Sequence, residues 1–308
     1  MDVIMQLIFA KVTLISLLLL FSNGTHALSQ NGHRIVCDMA FQLLSKNTQK
    51  KVKELVDLMP KWDREKLNDY QKVGASSKVK FSNACVWPDS IKNNNPWNKV
   101  KIWHYINVQR DESEVQLDDC LVGCLITGIN LHSKVIKSES DKLSKAYALY
   151  FLGHWYGDIH QPLHVSFADD IGGGDTKIRN FSGCSNLHSV WDGCIIKETN
   201  LSESKLAKSL LKSIANMKDN ADLKSTLDEW KSSSVKDMAN ESLQIAIKEN
   251  TEYCKLSSSG KCEKIPNDPG RPSRALPDDY FENNWPILSV RLKQAAVRLA
   301  ARIEDTLN

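Results

Sequence analysis

The chain is poor in the residues that break and turn a backbone, with 14 Gly and 9 Pro in 308 residues. A turn-rich all-β fold needs more of both, so a helical architecture is expected. It also lacks an excess of either charge. Forty Lys and Arg stand against 37 Asp and Glu, a formal net charge of +3. That excludes a supercharged nucleic-acid wrapper, and any affinity for phosphate has to come from a local site. After residue 27, no apolar run approaches the roughly 20 residues that span a bilayer. No stable membrane association is therefore expected. No Cys-x2-Cys pair offers a thiolate metal site. Neither an internal repeat nor a linker divides the chain, and one all-α domain over 28–308 is expected.

An apolar run does exist at the start. Lys11 precedes Val12–Phe21, a stretch too short to span a bilayer comfortably but suited to the core of a secretory signal. Thr25 and Ala27 are the small residues a peptidase wants, so residues 1–27 read as a removed signal and Leu28 as the new first residue. The expected destination is outside the cell, or the periplasm of a bacterium. An oxidising compartment gives the eight Cys, an even number, meaning as disulfides. Asn180, Asn200 and Asn240 open glycosylation sequons, usable only in a eukaryotic host.

Helical periods dominate the rest. Ile35, Val36, Met39, Ala40, Leu43 and Leu44 fall on one face of a helix over 32–44. Val52, Leu55, Val56 and Leu58 do the same over 46–58, opposite a solvated face of Lys50, Lys51 and Lys53. Helices are expected over 113–137 (through Leu117, Leu121, Leu125, Ile129 and Leu131), over 140–160, through 187–250, and from Pro286 to about Leu307. The Gly- and Asp-rich stretch 169–175 precedes a small hairpin near 175–185. Residues 254–284, with four Pro, read as loop.

The histidines carry the chemical signal. His154 and Asp158 are spaced i,i+4, and so are His188 and Asp192. On a helix that spacing puts both side chains on one face, with β-carbons about 6 Å apart. After the first pair comes His160-Gln-Pro-Leu-His164, where Pro162 stops the helix and lets His164 turn back. Upstream stand Trp87-Pro-Asp89, Trp103-His104-Tyr105-Ile-Asn107, and His33 near the mature start. Imidazole plus carboxylate without free thiolate suits Zn²⁺ in a hydrolytic site. A single His-x3-Asp is usually a helix-surface pair. Two copies, a His-Gln-Pro-Leu-His turn and separate Trp-flanked carboxylate and imidazole candidates carry more weight together.

In these residues the sequence resembles the secreted zinc-dependent single-strand-specific nucleases of the S-one/P-one type, which are related to bacterial zinc phospholipase C. The resemblance runs over the whole mature chain. Its most specific part is His154-x3-Asp158-Ile-His-Gln-Pro-Leu-His164, followed by Asn186-Leu-His188-x2-Trp-Asp192. It implies a mostly helical fold with three zinc ions at the bottom of a cleft. Asp89, His104, His154 and Asp158 match the ligands of one zinc. Asp158 bridges to a second, completed by His33 and by the main-chain amine and carbonyl of the mature first residue, here Leu28 where most relatives have Trp. His164, His188 and Asp192 match the third. His160 is then structural or supports the ligands, and His132 is expected on a helix surface.

The resemblance further implies in-line hydrolysis of phosphodiesters to 5′-phosphate products, on single-stranded DNA, RNA and 3′-nucleotides, with Asp158 and Lys92 in the catalytic roles. Lys92 matches a basic residue that neutralises charge in the transition state. Tyr105 and Asn107 match positions that stack on a base and bond its edge; relatives often carry an acid in place of Asn107. Asp175, where Asn is usual, and Gly193, where some relatives have Asn, are departures outside the ligand set. Cys37 and Cys85 match a disulfide of the family. Cys184 and Cys194 bracket the His188 segment, and their pairing would clamp it. Cys254 and Cys262 can close a local loop. Cys120 and Cys124 remain for each other, although i,i+4 spacing on a helix strains such a bridge. A monomer is expected. Two rival readings are a zinc phosphodiesterase acting on phospholipids and a secreted zinc-binding protein without catalysis.

Overall fold

The computed structural model describes residues 28–308 apart from Leu117 and Ser182. The expected signal segment 1–27 lies outside the described residues.

Helices dominate, and the fold is all-α with three small two-stranded sheets. Helix α1 spans Gln30–Leu43, capped by the Ser29 hydroxyl on the Gly32 N–H. Ser45 caps α2, Lys46–Val56. Their buried faces are those the periodicity marks, except that α2 ends at Val56 and Leu58 is 40% exposed. Helix α3, Lys61–Tyr70, was not evident from the sequence. Its buried side chains are Asp63, Leu67 and Asn68, too polar a face for an apolar period to reveal. Short helices α4, Phe81–Ala84, and α5, Trp87–Ile91, lead into a 3₁₀ helix, Trp97–His104. The carboxylate of buried Asp63 accepts from Trp87 Nε1 at 3.0 Å and from the Tyr147 hydroxyl at 2.7 Å, and so fixes α5 against the core.

The helix expected over 113–137 is shorter. Helix α6 runs only Leu125–Lys137. Ahead of it, a Cys120–Cys124 bridge closes a tight turn in which Gly123 adopts φ +94° and Cys124 is extended. Those conformations are incompatible with continuing a right-handed helix. They also remove the strain expected of that pair, because the two Cys do not share a helix. Leu121 and Val122 are consequently 79% and 82% exposed rather than on a buried stripe, and Leu117 lies outside the described residues. Helix α7, Lys142–Asp158, starts at an Asp141 cap and is buried along nearly its whole second half. That all-round burial gives it little amphipathic signature. It packs along α6, and the terminal helix packs along α1.

Past α7, strand β1 (Ile106–Val108) pairs in parallel with β2 (Val165–Phe167), setting Asn107 opposite Ser166. The expected hairpin is β3 (Lys177–Phe181) with β4 (Cys184–Asn186). Residues 187–250 are helical in pieces. Helix α8 (Leu187–Ser189), a π-helical turn (Val190–Cys194) and α9 (Ile195–Glu198) are followed by α10 (Glu203–Asp219), α11 (Ala221–Ser232) and α12 (Val235–Ala246). The loop 254–284 contains a further hairpin, β5 (Cys254–Leu256) with β6 (Cys262–Lys264).

Helix α13 spans Tyr280–Leu307, so Pro286 lies inside it rather than ahead of it. Proline removes a helical hydrogen bond. The first turn is held independently: the Tyr280 hydroxyl donates to Thr251 O at 2.8 Å and Asn284 Nδ2 to Asn250 O at 2.9 Å. Buried Tyr280, Asn284 and Leu288 carry one face across the proline.

The main apolar cluster draws on segments from Leu28 to Ile303. Four disulfides, Cys37–Cys85, Cys120–Cys124, Cys184–Cys194 and Cys254–Cys262, cross-link the described residues. They are consistent with an extracellular protein. No helix of the described residues is long and apolar enough to cross a membrane.

Candidate metal centre

Five stretches of chain converge on one buried region. Helix α1 brings His33, α5 brings Asp89, and the end of the 3₁₀ helix brings His104. Helix α7 brings His154 and, one turn on, Asp158. Pro162 ends that run, and the following 3₁₀ turn, Pro162–His164, aims His164 back inward. The α8 and π-helical turn set His188 and Asp192 one turn apart.

These side chains form three groups whose ligand atoms lie within 4.8 Å of one another: His33, His154 and Asp158; Asp89, His104 and His154; His164, His188 and Asp192. Asp158 lies at the centre. Its Oδ2 is 3.2 Å from His154 Nε2, and its Oδ1 is 3.3 Å from both His33 Nε2 and His164 Nδ1. His164 reaches on through Nε2 to Asp192 Oδ1 at 3.3 Å, and His188 Nε2 lies 3.3 Å from Asp192 Oδ2. Asp89 Oδ1 is 3.7 Å from His104 Nε2 and 3.8 Å from His154 Nε2. Asp158 thus lies between His154, His33 and His164, while the residue common to two of the three groups is His154. His164 makes a link between groups that the sequence did not indicate.

The donor set fits zinc. Zinc–ligand bonds of about 2.0–2.1 Å at a tetrahedral angle leave neighbouring N and O ligands about 3.3 Å apart, close to the separations of the four pairs His154–Asp158, His33–Asp158, His164–Asp192 and His188–Asp192 that fall within a single group. Nine-tenths or more of each side chain is buried, yet both His33 nitrogens, Nε2 of His104 and His154, both ring nitrogens of His164, both Asp158 oxygens, and Oδ2 of Asp89 and Asp192 lack any hydrogen bond. Leaving so many buried polar atoms unpaired is costly unless a cation satisfies them. The opposite ring nitrogens are anchored. Nδ1 of His154 donates to Cys85 O at 2.8 Å, of His104 to Lys101 O at 2.9 Å, and of His188 to Gly172 O at 2.8 Å. Each bond fixes the tautomer that turns the Nε2 lone pair inward.

The electrostatics also call for positive charge. Burial opposes ionisation of Asp158, but the His154 and His164 imidazoles hold its pKa well below the usual range. Burial likewise works against a charged His164, and the pull of Asp158 and Asp192 overrides it, raising His164 to about 10. Burial and then the neighbouring His154 push His104 down to about 3. His33 and His188 are lowered too, by burial first. Asp158 and its neighbouring carboxylates thus raise His154 and His164 against the effect of burial, while burial lowers His33, His104 and His188.

The supporting contacts come from further residues. The Cys37–Cys85 bridge ties α1 to the turn before α5, so it joins the segments of His33 and Asp89 while Cys85 O holds His154. Cys184–Cys194 brackets His188 and Asp192. Gln161 Nε2 donates to Asp192 Oδ1 at 2.6 Å. Behind the end of α7 lies a buried ionic cluster. Arg291 donates to the carbonyls of Ile159 and His160 and to Glu241, and Arg298 pairs with Glu241 and donates to His160 Nε2 at 2.9 Å. His160 is buried, as a supporting residue should be. His132, expected on a helix surface, is half-buried on α6, its ring stacked 4.8 Å from Phe151 of α7 and its Nδ1 3.0 Å from Trp155 Nε1.

Leu28 is buried beside the site. A β-carbon at Gly157 would sit 2.5 Å from His33 Nδ1 and 3.3 Å from Leu28 Cδ2, and the Ser29 N–H donates to Asp192 O at 2.8 Å. The main chain at 28–29 thus runs between the His33 and Asp192 groups.

Above the groups opens a cavity of about 350 Å³, lined on one side by Lys92, Lys101, His104, Tyr105 and Asn107 and on the other by Leu163, His164, Ser166, Ile171 and His188. Lys92 Nζ donates to Asp89 Oδ1 at 2.9 Å, and Asp89 raises the Lys92 pKa against the effect of burial. Tyr105 is 38% exposed. Of the sequons, Asn180 spends its carboxamide on the Leu276 backbone in both directions at 2.9 Å, and Asn240 Oδ1 accepts from Val115 N at 2.8 Å. Asn200 is exposed in a left-handed turn. Gln161, Lys101, Arg291 and Arg298 were not singled out from the sequence. Gln161 stands within the quoted His-Gln-Pro motif, and Lys101 stands three residues before His104.

A family model described as S1/P1 nuclease matches residues 28–308. The chain is 28% identical over 320 aligned residues to Endonuclease 4 of Arabidopsis thaliana, covering 96% of this chain and 93% of that protein. It is 29% identical over 307 residues to Endonuclease 2 of the same plant, covering 93% and 92%. It is 26% identical over 239 residues to Nuclease S1 of Aspergillus oryzae, covering 75% and 81%.

Proposed function

This chain belongs to the S1/P1 nuclease family, and from that premise we propose that it is a zinc-dependent endonuclease that cleaves single-stranded DNA and RNA to 5′-phosphate products and also acts on 3′-nucleotides. Membership alone makes it a nuclease, a hydrolase of phosphodiester bonds. The observation that carries the finer reading is the set of unpaired, buried imidazole and carboxylate atoms around Asp158.

Asp89, His104, His154 and Asp158 would hold one zinc. Asp158, His33 and the main-chain amine and carbonyl of Leu28 would hold a second, and His164, His188 and Asp192 a third. Bound there, zinc supplies Lewis acidity toward phosphoryl oxygens and activates water for in-line attack. The chain's own residues do the rest. Three carboxylates cannot neutralise three divalent ions, so the floor of the cavity stays cationic and draws a phosphate that the near-neutral surface does not. Lys92, poised at Asp89, offers a further positive charge to the phosphoryl oxygens on which negative charge builds in the transition state. Tyr105 offers a ring face to a base, a contact worth about 1–3 kcal/mol that does not read sequence and that a stacked, paired base cannot use. Asn107 presents both a donor and an acceptor to the base edge.

The test is hydrolysis of single-stranded and duplex DNA, RNA and phosphatidylcholine by protein beginning at Leu28, with and without chelator. Chelator-sensitive cleavage of the single strands with little of the duplex supports the reading. Chelator-resistant activity, or phosphatidylcholine as the preferred substrate, overturns it.

A further inference from the structure

The cavity above the metal groups contains two lysines and no carboxylate among its lining side chains, and the two are differently placed. Lys92 is half enclosed and paired with Asp89. Lys101 is exposed, and among the described residues its Nζ meets only a neutral partner, Asn93 Oδ1 at 3.2 Å. In a chain whose 40 cations face 37 anions, an uncompensated ammonium at the cavity mouth is a local feature with electrostatic consequences.

Its position follows from the backbone. Lys101 and His104 are the basic residues of the last turn of the 3₁₀ helix Trp97–His104, and the Lys101 carbonyl accepts the His104 Nδ1 proton. In a 3₁₀ helix, residues three apart lie one above the other, displaced by about 6 Å along the axis. Lys101 therefore lies on the same side as the metal-facing His104, one turn farther out. Tyr105 and Asn107 continue the same wall in the other direction. A nucleotide whose base meets Tyr105 and whose phosphate meets the floor has its strand leave past one end of this wall.

We propose that Lys101 binds a phosphate neighbouring the one that is hydrolysed, and so tunes the cleft toward polynucleotide chains over substrates with a single phosphate. This rests on the nuclease reading and adds a residue that distinguishes substrates by length. The contact is electrostatic and solvent-exposed, so its effect is modest, and it appears only when the substrate has a second phosphate.

The experiment compares the dinucleoside monophosphate ApA, which has one phosphate, with a deoxyadenylate nonamer. The enzymes are wild type, K101Q, K101R and K99Q, the last removing an exposed lysine of the same segment that does not line the cavity. The expected result is that K101Q lowers kcat/KM for the nonamer about three- to fivefold more than for ApA, the size of one exposed charge contact. The slope of log kcat/KM against log salt for the nonamer becomes shallower by about 0.7, one single-strand phosphate. K101R restores most of the difference, and K99Q produces none. Equal losses on both substrates, an unchanged slope, or the same differential from K99Q would overturn the proposal. Wild-type protein that cleaves neither substrate would overturn the nuclease reading itself and the proposal with it.

Discussion

Gly157→Ala tests the site without altering any candidate ligand. Gly157 lies in α7, immediately before Asp158, and the added β-carbon would meet His33 Nδ1 at 2.5 Å and Cε1 at 2.8 Å. Ordinary contact begins at 3.4 Å, so the ring must retreat by about 0.9 Å. It has little room: His33 is completely buried and stacked on His154 at 3.9 Å between centroids. Moving it away opens the 3.3 Å approach to Asp158 Oδ1. Overpacking of this kind costs about 1–3 kcal/mol, and exchanging Gly for Ala inside a helix returns about 1 kcal/mol. The net loss of about 0–2 kcal/mol lowers Tm by no more than about 8 °C in a protein of this size. A displacement near 1 Å at a reacting centre costs about 100-fold in rate. The variant should therefore fold, lose about two orders of magnitude in kcat/KM, and bind less zinc by elemental analysis. Gly128→Ala is the control: its β-carbon would sit 2.9 Å from Trp155 Nε1, between α6 and α7, without touching a ligand. It should cost stability while leaving zinc content unchanged. A Gly157→Ala enzyme with full zinc content and activity within threefold of wild type would refute the placement of His33 in the centre.

Other expectations follow from the same geometry. Asp158→Asn should lower turnover by more than the roughly 10–100-fold lost with a residue that only supports a ligand, because the proposed site has Asp158 at two metal positions; near-normal turnover in a steady-state assay would reject the bridging role. Extra residues before Leu28 block the amine, which binds metal only when free and deprotonated, so a tagged chain should hold one zinc fewer in elemental analysis than a chain starting at Leu28. His160 is held neutral far below its ordinary pKa, by burial first and then by Arg291 and Arg298. The stability it contributes is complete above about pH 6.5 and is lost as pH falls below that. The Tm advantage of wild type over His160→Gln should shrink from pH 7 to pH 5, and parallel curves would contradict this. If the chain is made in a eukaryotic secretory pathway, glycan should appear by mass spectrometry more at exposed Asn200, whose Nδ2 donates to Glu198 O within its own turn, than at Asn180, whose carboxamide is tied through both its atoms to the distant Leu276 backbone.

The i,i+4 His–Asp pairs and the turn at Pro162 were legible because covalent spacing on a helix fixes which side chains share a face. The groups at His154/Asp158 and His188/Asp192 appear where that spacing puts them. The convergence of His33, Asp89 and His104 is a tertiary fact, and only the family resemblance indicated it. The elements missed share a physical cause. Helix α3 buries Asp63 and Asn68, so no apolar stripe marked it. The turn at 120–124 is set by a disulfide and by one glycine at positive φ, which override the apolar period of Leu121 and Leu125. The first turn of α13 persists through Pro286 because Tyr280 and Asn284 are bonded to residues far away in sequence. His132 reads as polar on a helix wheel, yet its half-buried ring stacks on Phe151 of α7.

The proposed zinc chemistry needs an ion in each of the three groups of imidazole and carboxylate around Asp158. Anomalous scattering at the zinc edge from crystals of the chain beginning at Leu28 measures this directly. Three peaks are expected, one within each of the groups His33/His154/Asp158, Asp89/His104/His154 and His164/His188/Asp192. Crystals of active protein with no peak in these groups, or with zinc only at other residues, would contradict it.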